Sequence, residues 1–163
     1  MRILSRLGAL VLLLVGGATA TAATATAPAY VDARLYPTAA GWERFLAVER
    51  ALVRGFDNIC GDTFCEGEYH NLRALRLRCS VHAGSGAVAS CHWTFVGSNA
   101  GAAADDGRIQ ADMRNYDCRL PLAPGTPLEQ VLAALEGAGP DDVLDIPLPG
   151  MPRGTYGVLV DCL

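Results

Sequence analysis

From Gly41 to Phe56 the apolar positions recur every third or fourth residue. Trp42, Phe45, Leu46, Leu52, Val53 and Phe56 share one stripe, interrupted by Glu49, while Glu43, Arg50 and Arg54 fall on the other side. This period predicts an amphipathic helix over roughly residues 40–54, ended by Gly55 as C-cap, with Trp42 and Phe45 in the core. Residues 28–40, with their Pro and Ala, read as an extended arm leading into it.

The period then changes from helical to alternating. In "LRLRCSVHAGSGAVASCHWTF" a turn at Gly84-Ser85-Gly86, with Gly86 left-handed, sets Ala83 opposite Ala87. Outward from there Val81 meets Ala89, Cys79 meets Cys91, Leu77 meets Trp93 and Leu75 meets Phe95, an entirely apolar face. Arg78 with His92 and Arg76 with Thr94 make the polar one. A slip of one residue would spoil both faces, so the register predicts a Cys79–Cys91 bridge. "GSNAGAAADDG" then reads as a loop, and 109–120 as a third strand whose apolar phase shifts between Met113 and Tyr116, suggesting a bulge.

A second helix is announced by "TPLEQVLAALEG", with Thr126 as N-cap, Pro127 at N1 and Glu129 closing a capping box. Its buried stripe is Leu128, Val131, Leu132 and Leu135, and Gly137 ends it. "DVLDIPLPG" and "TYGVLVDCL" read as two short strands, with Tyr156, Val158, Val160 and Cys162 on one face. The expected fold is α+β: an antiparallel sheet of about five strands with two helices, in the order α-β-β-β-α-β-β, forming one domain over residues 41–163.

The first residues carry an address. Arg2 and Arg6 precede the apolar run Leu7–Val15 and a stretch of overlapping A-x-A sites, the pattern of a secretory signal peptide over residues 1–22, cleaved between 20 and 27. The run is shorter than the roughly 20 residues that span a bilayer, and no later stretch reads as a membrane anchor. The mature chain is expected in the periplasm or secreted, and its six cysteines then read as a disulfide framework. With Cys79 and Cys91 paired, adjacent third and last strands would join Cys118 to Cys162, leaving Cys60 with Cys65.

All 13 basic residues are arginine, a coding bias of a GC-rich bacterium when set beside the abundant Ala and Gly. Without lysine there is no Schiff base, no Ser–Lys dyad and no phosphate-cradling Walker motif. Loss of Arg2 and Arg6 with the leader takes the net charge from −4 to −6, an unfavourable balance for nucleic acid.

Candidate chemistry concentrates in "FDNICGDTFCEGEYHN", residues 56–71. Its C-x4-C pair lacks the second pair of a structural zinc site, and its acids miss the spacing of a calcium loop. The spacing is also wrong for a redox C-x-x-C helix start. No metal or other cofactor is therefore expected. Ser80, Ser85, Ser90 and Ser98 lack a nucleophile elbow, and His70, His82 and His92 lie in no recognisable catalytic setting. Carboxylates drawn from Asp57, Asp62, Glu66 and Glu68 leave a small carboxylate-based hydrolase as an alternative.

Closed by Cys60–Cys65, the segment is either a corner joining helix to sheet with Phe64 buried, or a pre-stiffened contact loop offering Asp62, Thr63 and Phe64 with Glu66 and Glu68. A C-x4-C loop after a helix and before an antiparallel sheet resembles the layout of periplasmic lysozyme inhibitors of the Ivy type. That resemblance implies a disulfide-closed loop that enters an enzyme's active site. Here no histidine lies between the cysteines, and His70 falls five residues beyond Cys65. The leading expectation is a non-catalytic, protein-binding, exported domain, in its most concrete form an inhibitor or immunity-type partner of a basic cell-wall hydrolase. A third class, an envelope structural or ligand-binding protein, would use the Arg76, Arg78 and His92 face.

Overall fold

The computed structural model describes residues 29–36 and 39–163. The expected signal peptide, residues 1–22, and its cleavage region lie outside the described residues. In order along the chain come β1 (Tyr30–Asp32), α1 (Ala39–Cys60), β2 (Asn71–His82), β3 (Val88–Ala102), β4 (Ile109–Leu120), α2 (Leu128–Leu135) and α3 (Thr155–Cys162). Short 3-10 turns occupy Ala33–Leu35 and Phe64–Glu66. The architecture is α+β, with an antiparallel sheet in the order β1-β2-β3-β4. One sheet face carries the core: Leu77, Cys79, Cys91, Trp93, Phe95 and Cys118 are buried there with Phe45, Leu52 and Phe56 of α1.

Three expectations about the elements are corrected. First, α1 does not stop at Gly55 but continues to Cys60. Gly55 is a point of close approach: a Cβ there would meet Val143 Cγ1 at 2.7 Å and the Pro140 carbonyl at 3.0 Å. Second, the sheet has four strands among the described residues. Part of the N-terminal arm supplies the edge strand β1, and "TYGVLVDCL" is the helix α3. Thr155, Val158 and Leu159 are buried while Val160 is 57% exposed, a helical spacing that a short apolar run does not distinguish from a strand's. "DVLDIPLPG" forms turns, with Val143, Leu144 and Leu148 buried. Third, "GSNAGA" is not loop but the outer half of β3.

β3 pairs without interruption with β4, from Cys91↔Leu120 to Ala102↔Ile109, so β4 has no bulge. The shift in apolar phase has another cause. Near the body, Tyr116, Cys118 and Leu120 turn to the core. Farther out there is no core to cover, and Ile109 and Met113 stand on the opposite face, 72% and 74% exposed. Both hairpins turn alike, with Gly86 at φ 73° and Gly107 at φ 72° donating back to the His82 and Ala103 carbonyls, each at 2.9 Å. The first hairpin thus has a four-residue turn, Ala83–Gly86, rather than three.

The expected β2–β3 register holds from Arg76↔Thr94 to Ser80↔Ser90. Irregularities on either side pair Val81 with Val88 and Ala74 with Phe95, and Leu75 is pushed out to 48% exposure. Trp42, expected in the core, is 41% exposed at the start of α1. The capping box of α2 does not form. Thr126 is buried, its hydroxyl donates to the Ala123 carbonyl at 2.7 Å, and Glu129 is engaged elsewhere. The α2 stripe of Leu128, Val131, Leu132 and Leu135 is buried as its spacing predicts.

Glu129 instead meets Arg44 at 2.5 Å, and Glu136 meets the same guanidinium at 2.6 Å, tying α2 to α1. Hydrogen bonding to Arg44 holds both carboxyls below the usual glutamate range. The clamp is complete above the ordinary glutamate pKa and is lost as pH falls through the lowered values.

Three disulfides join Cys60 to Cys65, Cys79 to Cys91 and Cys118 to Cys162. Such bonds belong to an oxidising, extracytoplasmic environment. No described helix is long and apolar enough to cross a membrane.

Candidate functional site: the stapled acidic corner

The last turn of α1 leads into the corner. Asp62 N–H donates to the Ile59 carbonyl and Thr63 N–H to the Cys60 carbonyl, each at 3.2 Å, and the Thr63 hydroxyl donates to Ile59 at 2.7 Å. These bonds satisfy carbonyls that a helix end leaves open. The Cys60–Cys65 bond closes the loop. Phe64 is half-buried, its ring stacked on Phe56 at 5.9 Å and tilted against Tyr156 at 5.8 Å. The side chain expected at the contact tip is therefore an anchor, and Thr63 is committed to its own helix.

Beyond the staple the chain crosses the root of the β3–β4 ribbon and is fastened there. The Glu68 carboxylate lies 3.4 Å from Arg114, and its carbonyl accepts from the Asn99 side chain. His70 N–H donates to Asn99 Oδ1 at 3.2 Å. Tyr69 is buried over Gly97, where a Cβ would meet its ring at 2.8 Å, and its hydroxyl donates to Asp112 at 2.8 Å.

The hydrogen bond to Asp112, helped by burial, raises the Tyr69 pKa from 10.0 to about 12. The neutral phenol is the form this contact favours. Its contribution is complete below the ordinary tyrosine pKa and lost as pH rises through about 12. In a 295 nm titration, a tyrosine phase near pH 12 is expected that disappears in Tyr69→Phe. Uniform titration of all tyrosines near 10 would contradict the contact.

Asp62, Glu66 and Glu68 remain exposed around this corner, with Asp57 on the last turn of α1. Asp141 is drawn to the same end by the Asn58 side chain, which donates to it at 2.6 Å. A helix C-terminus is the negative end of its dipole, and basic residues there are favourable. The last turn of α1 has none. The carboxylates thus reinforce a negative pole rather than neutralise it.

The other sequence candidates are dispersed. Arg78 lies 3.6 Å from Asp32, His92 Nδ1 lies 2.7 Å from Asp117, and Arg76 bends around the sheet edge to within 4.0 Å of Glu49. Each is engaged with a different carboxylate. His82 Nδ1 accepts from the Gly84 and Ser85 amides at 3.3 and 3.2 Å, tying the hairpin turn. Among the described residues, none of the corner's carboxylates lines the clefts beside Cys91, Trp42 or Arg153. Among the described residues no three His, Cys, Asp or Glu side chains gather as a metal site.

One further polar residue is buried against the sheet. Glu49 is 5% exposed, and its Oε1 accepts the Leu77 amide at 3.0 Å. Its signal was present in the sequence as the sole acid within the apolar stripe of α1.

No protein-family model, curated protein or solved structure significantly matches the chain.

Proposed function

We propose that the protein is an exported, non-catalytic binding domain whose stapled corner engages a basic protein partner, and that this partner is a cell-wall hydrolase which it inhibits. The observation that carries this reading is the fixed negative pole: Asp62 and Glu66 are exposed on a loop held by Cys60–Cys65 and by Phe64, at a helix end without a basic residue. A loop ordered in advance loses little entropy on docking, and a concentrated negative field speeds encounter with a basic surface. The three disulfides support a site of action outside the cytoplasm.

The test is hydrolysis of purified peptidoglycan by a panel of basic muramidases and amidases, with and without the mature protein. The native protein slows at least one of them, and Asp62→Asn/Glu66→Gln weakens that inhibition by about tenfold or more. Inhibition that survives both substitutions would overturn the corner as the contact. Release of muropeptides by the protein alone would overturn the non-catalytic reading in favour of the hydrolase.

A further inference from the structure

We propose that the groove between α1 and the open edge of β2 receives an extended, acidic peptide segment as an added strand. This surface is separate from the acidic corner and selects the opposite charge.

The backbone provides the first part of the site. β1 covers only Ser80–His82 of β2, so among the described residues the edge from Asn71 to Cys79 has no strand beside it. Along such an edge alternate residues direct their N–H and C=O groups outward, the arrangement to which a peptide strand adds. Glu49 takes up the Leu77 amide, which blunts the edge at that point; Asn71–Arg76 have no strand partner on that side among the described residues, and Leu75 and Arg76 line the groove.

Side chains supply the rest. The groove encloses about 410 Å³. Trp42, Val53 and Leu75 give it an apolar floor, with Leu75 turned into it by the irregularity between Ala74 and Arg76. Arg50 and Arg54, one turn apart on α1, form one rim, and Arg76 and Arg34 stand opposite. Arg34 also lies over the Trp42 ring at 5.0 Å, holding the indole at the entrance.

Among the described residues Arg50 and Arg54 make no ion pair, and the groove's single acid, Glu49, is already hydrogen-bonded. A chain of net charge −4 thus sets four of its 13 arginines around one apolar groove, Arg34 paired with Asp32 at 3.6 Å, Arg76 with Glu49 at 4.0 Å, and Arg50 and Arg54 left to meet a ligand. Its complement is an extended segment that alternates apolar and acidic side chains. The chain's own first 28 residues contain no acid, so they do not supply that complement.

The probe is a fluorescein-labelled acetyl-peptide of alternating Glu and Val, compared with its Lys–Val counterpart by anisotropy. The mature native protein is expected to bind the acidic peptide about tenfold or more tightly than the basic one, and less tightly as salt rises. Arg50→Glu/Arg54→Glu is expected to abolish the preference, with the native fold checked by circular dichroism. Asp62→Asn/Glu66→Gln, at the other site, is expected to leave peptide binding unchanged.

Hydrogen exchange supplies a readout independent of those variants. Amides within Asn71–Arg76 slow when the unlabelled acidic peptide is added. Equal binding of the two peptides, no binding, or unchanged exchange along β2 would overturn the proposal. Each of those results leaves the inhibition test of the acidic corner standing, so the two readings fail separately.

Discussion

Replacing both Cys118 and Cys162 by serine is expected to lower the unfolding free energy by about 4 kcal/mol, the largest change available from one covalent link. The two cysteines lie 44 residues apart. Closing a loop of that length removes roughly this much conformational freedom from the unfolded chain. The bond also fixes α3, an eight-residue helix whose N-cap, Gly154, makes no side-chain cap. A helix that short is not stable alone and depends on its packing of Val158 and Leu159. Urea unfolding of the double mutant measures the loss, and limited proteolysis locates it, with new cleavage expected within residues 150–163. A loss below about 1 kcal/mol, with the C-terminus still protected, would show that packing alone secures α3.

Truncating Phe56 to alanine is expected to cost a similar amount, about 3–5 kcal/mol, for a different reason. Phe56 is fully buried at the meeting point of helix, sheet and corner. Its ring lies 4.9 Å from Phe95, 6.2 Å from Trp93 and 5.9 Å from Phe64. Removing it opens a cavity on the first two and takes away the platform on which Phe64 rests. Denaturant midpoints report the global loss, while hydrogen exchange of residues 61–66 reports whether the corner loosens with it. A corner as protected as in the native protein would mean that the disulfide holds it without the aromatic stack.

The hairpin was the most legible part of the chain because its alternation is strict on both strands. Cys79 against Cys91 and Leu77 against Trp93 are cross-strand partners as alternation predicts, although the turn is one residue longer than expected and the irregularity between Ser80 and Val81 restores the register. The same alternation missed the displaced Leu75, since an irregular position leaves no mark in a pattern of period two. The long β3–β4 ribbon was hidden because its outer half covers no core. Without burial on one face, "GSNAGAAADDG" carries no alternation and its glycines read as loop.

The C-terminal helix was hidden by its composition. β-Branched Val158 and Val160 favour a strand reading, and only packing shows that Val158 and Leu159 are the buried pair. The pairing of Cys118 with Cys162 followed from an expected strand neighbour, whereas in the fold it is α3 lying against β4 that brings the cysteines together. Gly55 carried a second ambiguity, since a glycine near a helix end signals a cap or a close approach equally well. Of the corner, the staple and its exposed acids were legible. That Phe64 turns inward depended on Phe56 and Tyr156, which are 8 and 92 residues away in the sequence.

Affinity capture decides whether the rigid acidic corner binds a basic partner. Mature protein is immobilised in three forms, native, Cys60→Ser/Cys65→Ser and Asp62→Asn/Glu66→Gln, and each is exposed to the same envelope extract and culture medium. The native form is expected to retain a basic wall hydrolase, the charge variant to lose it, and the unstapled form to hold it more weakly. Retention of the same protein by all three forms, or by none, would contradict that expectation.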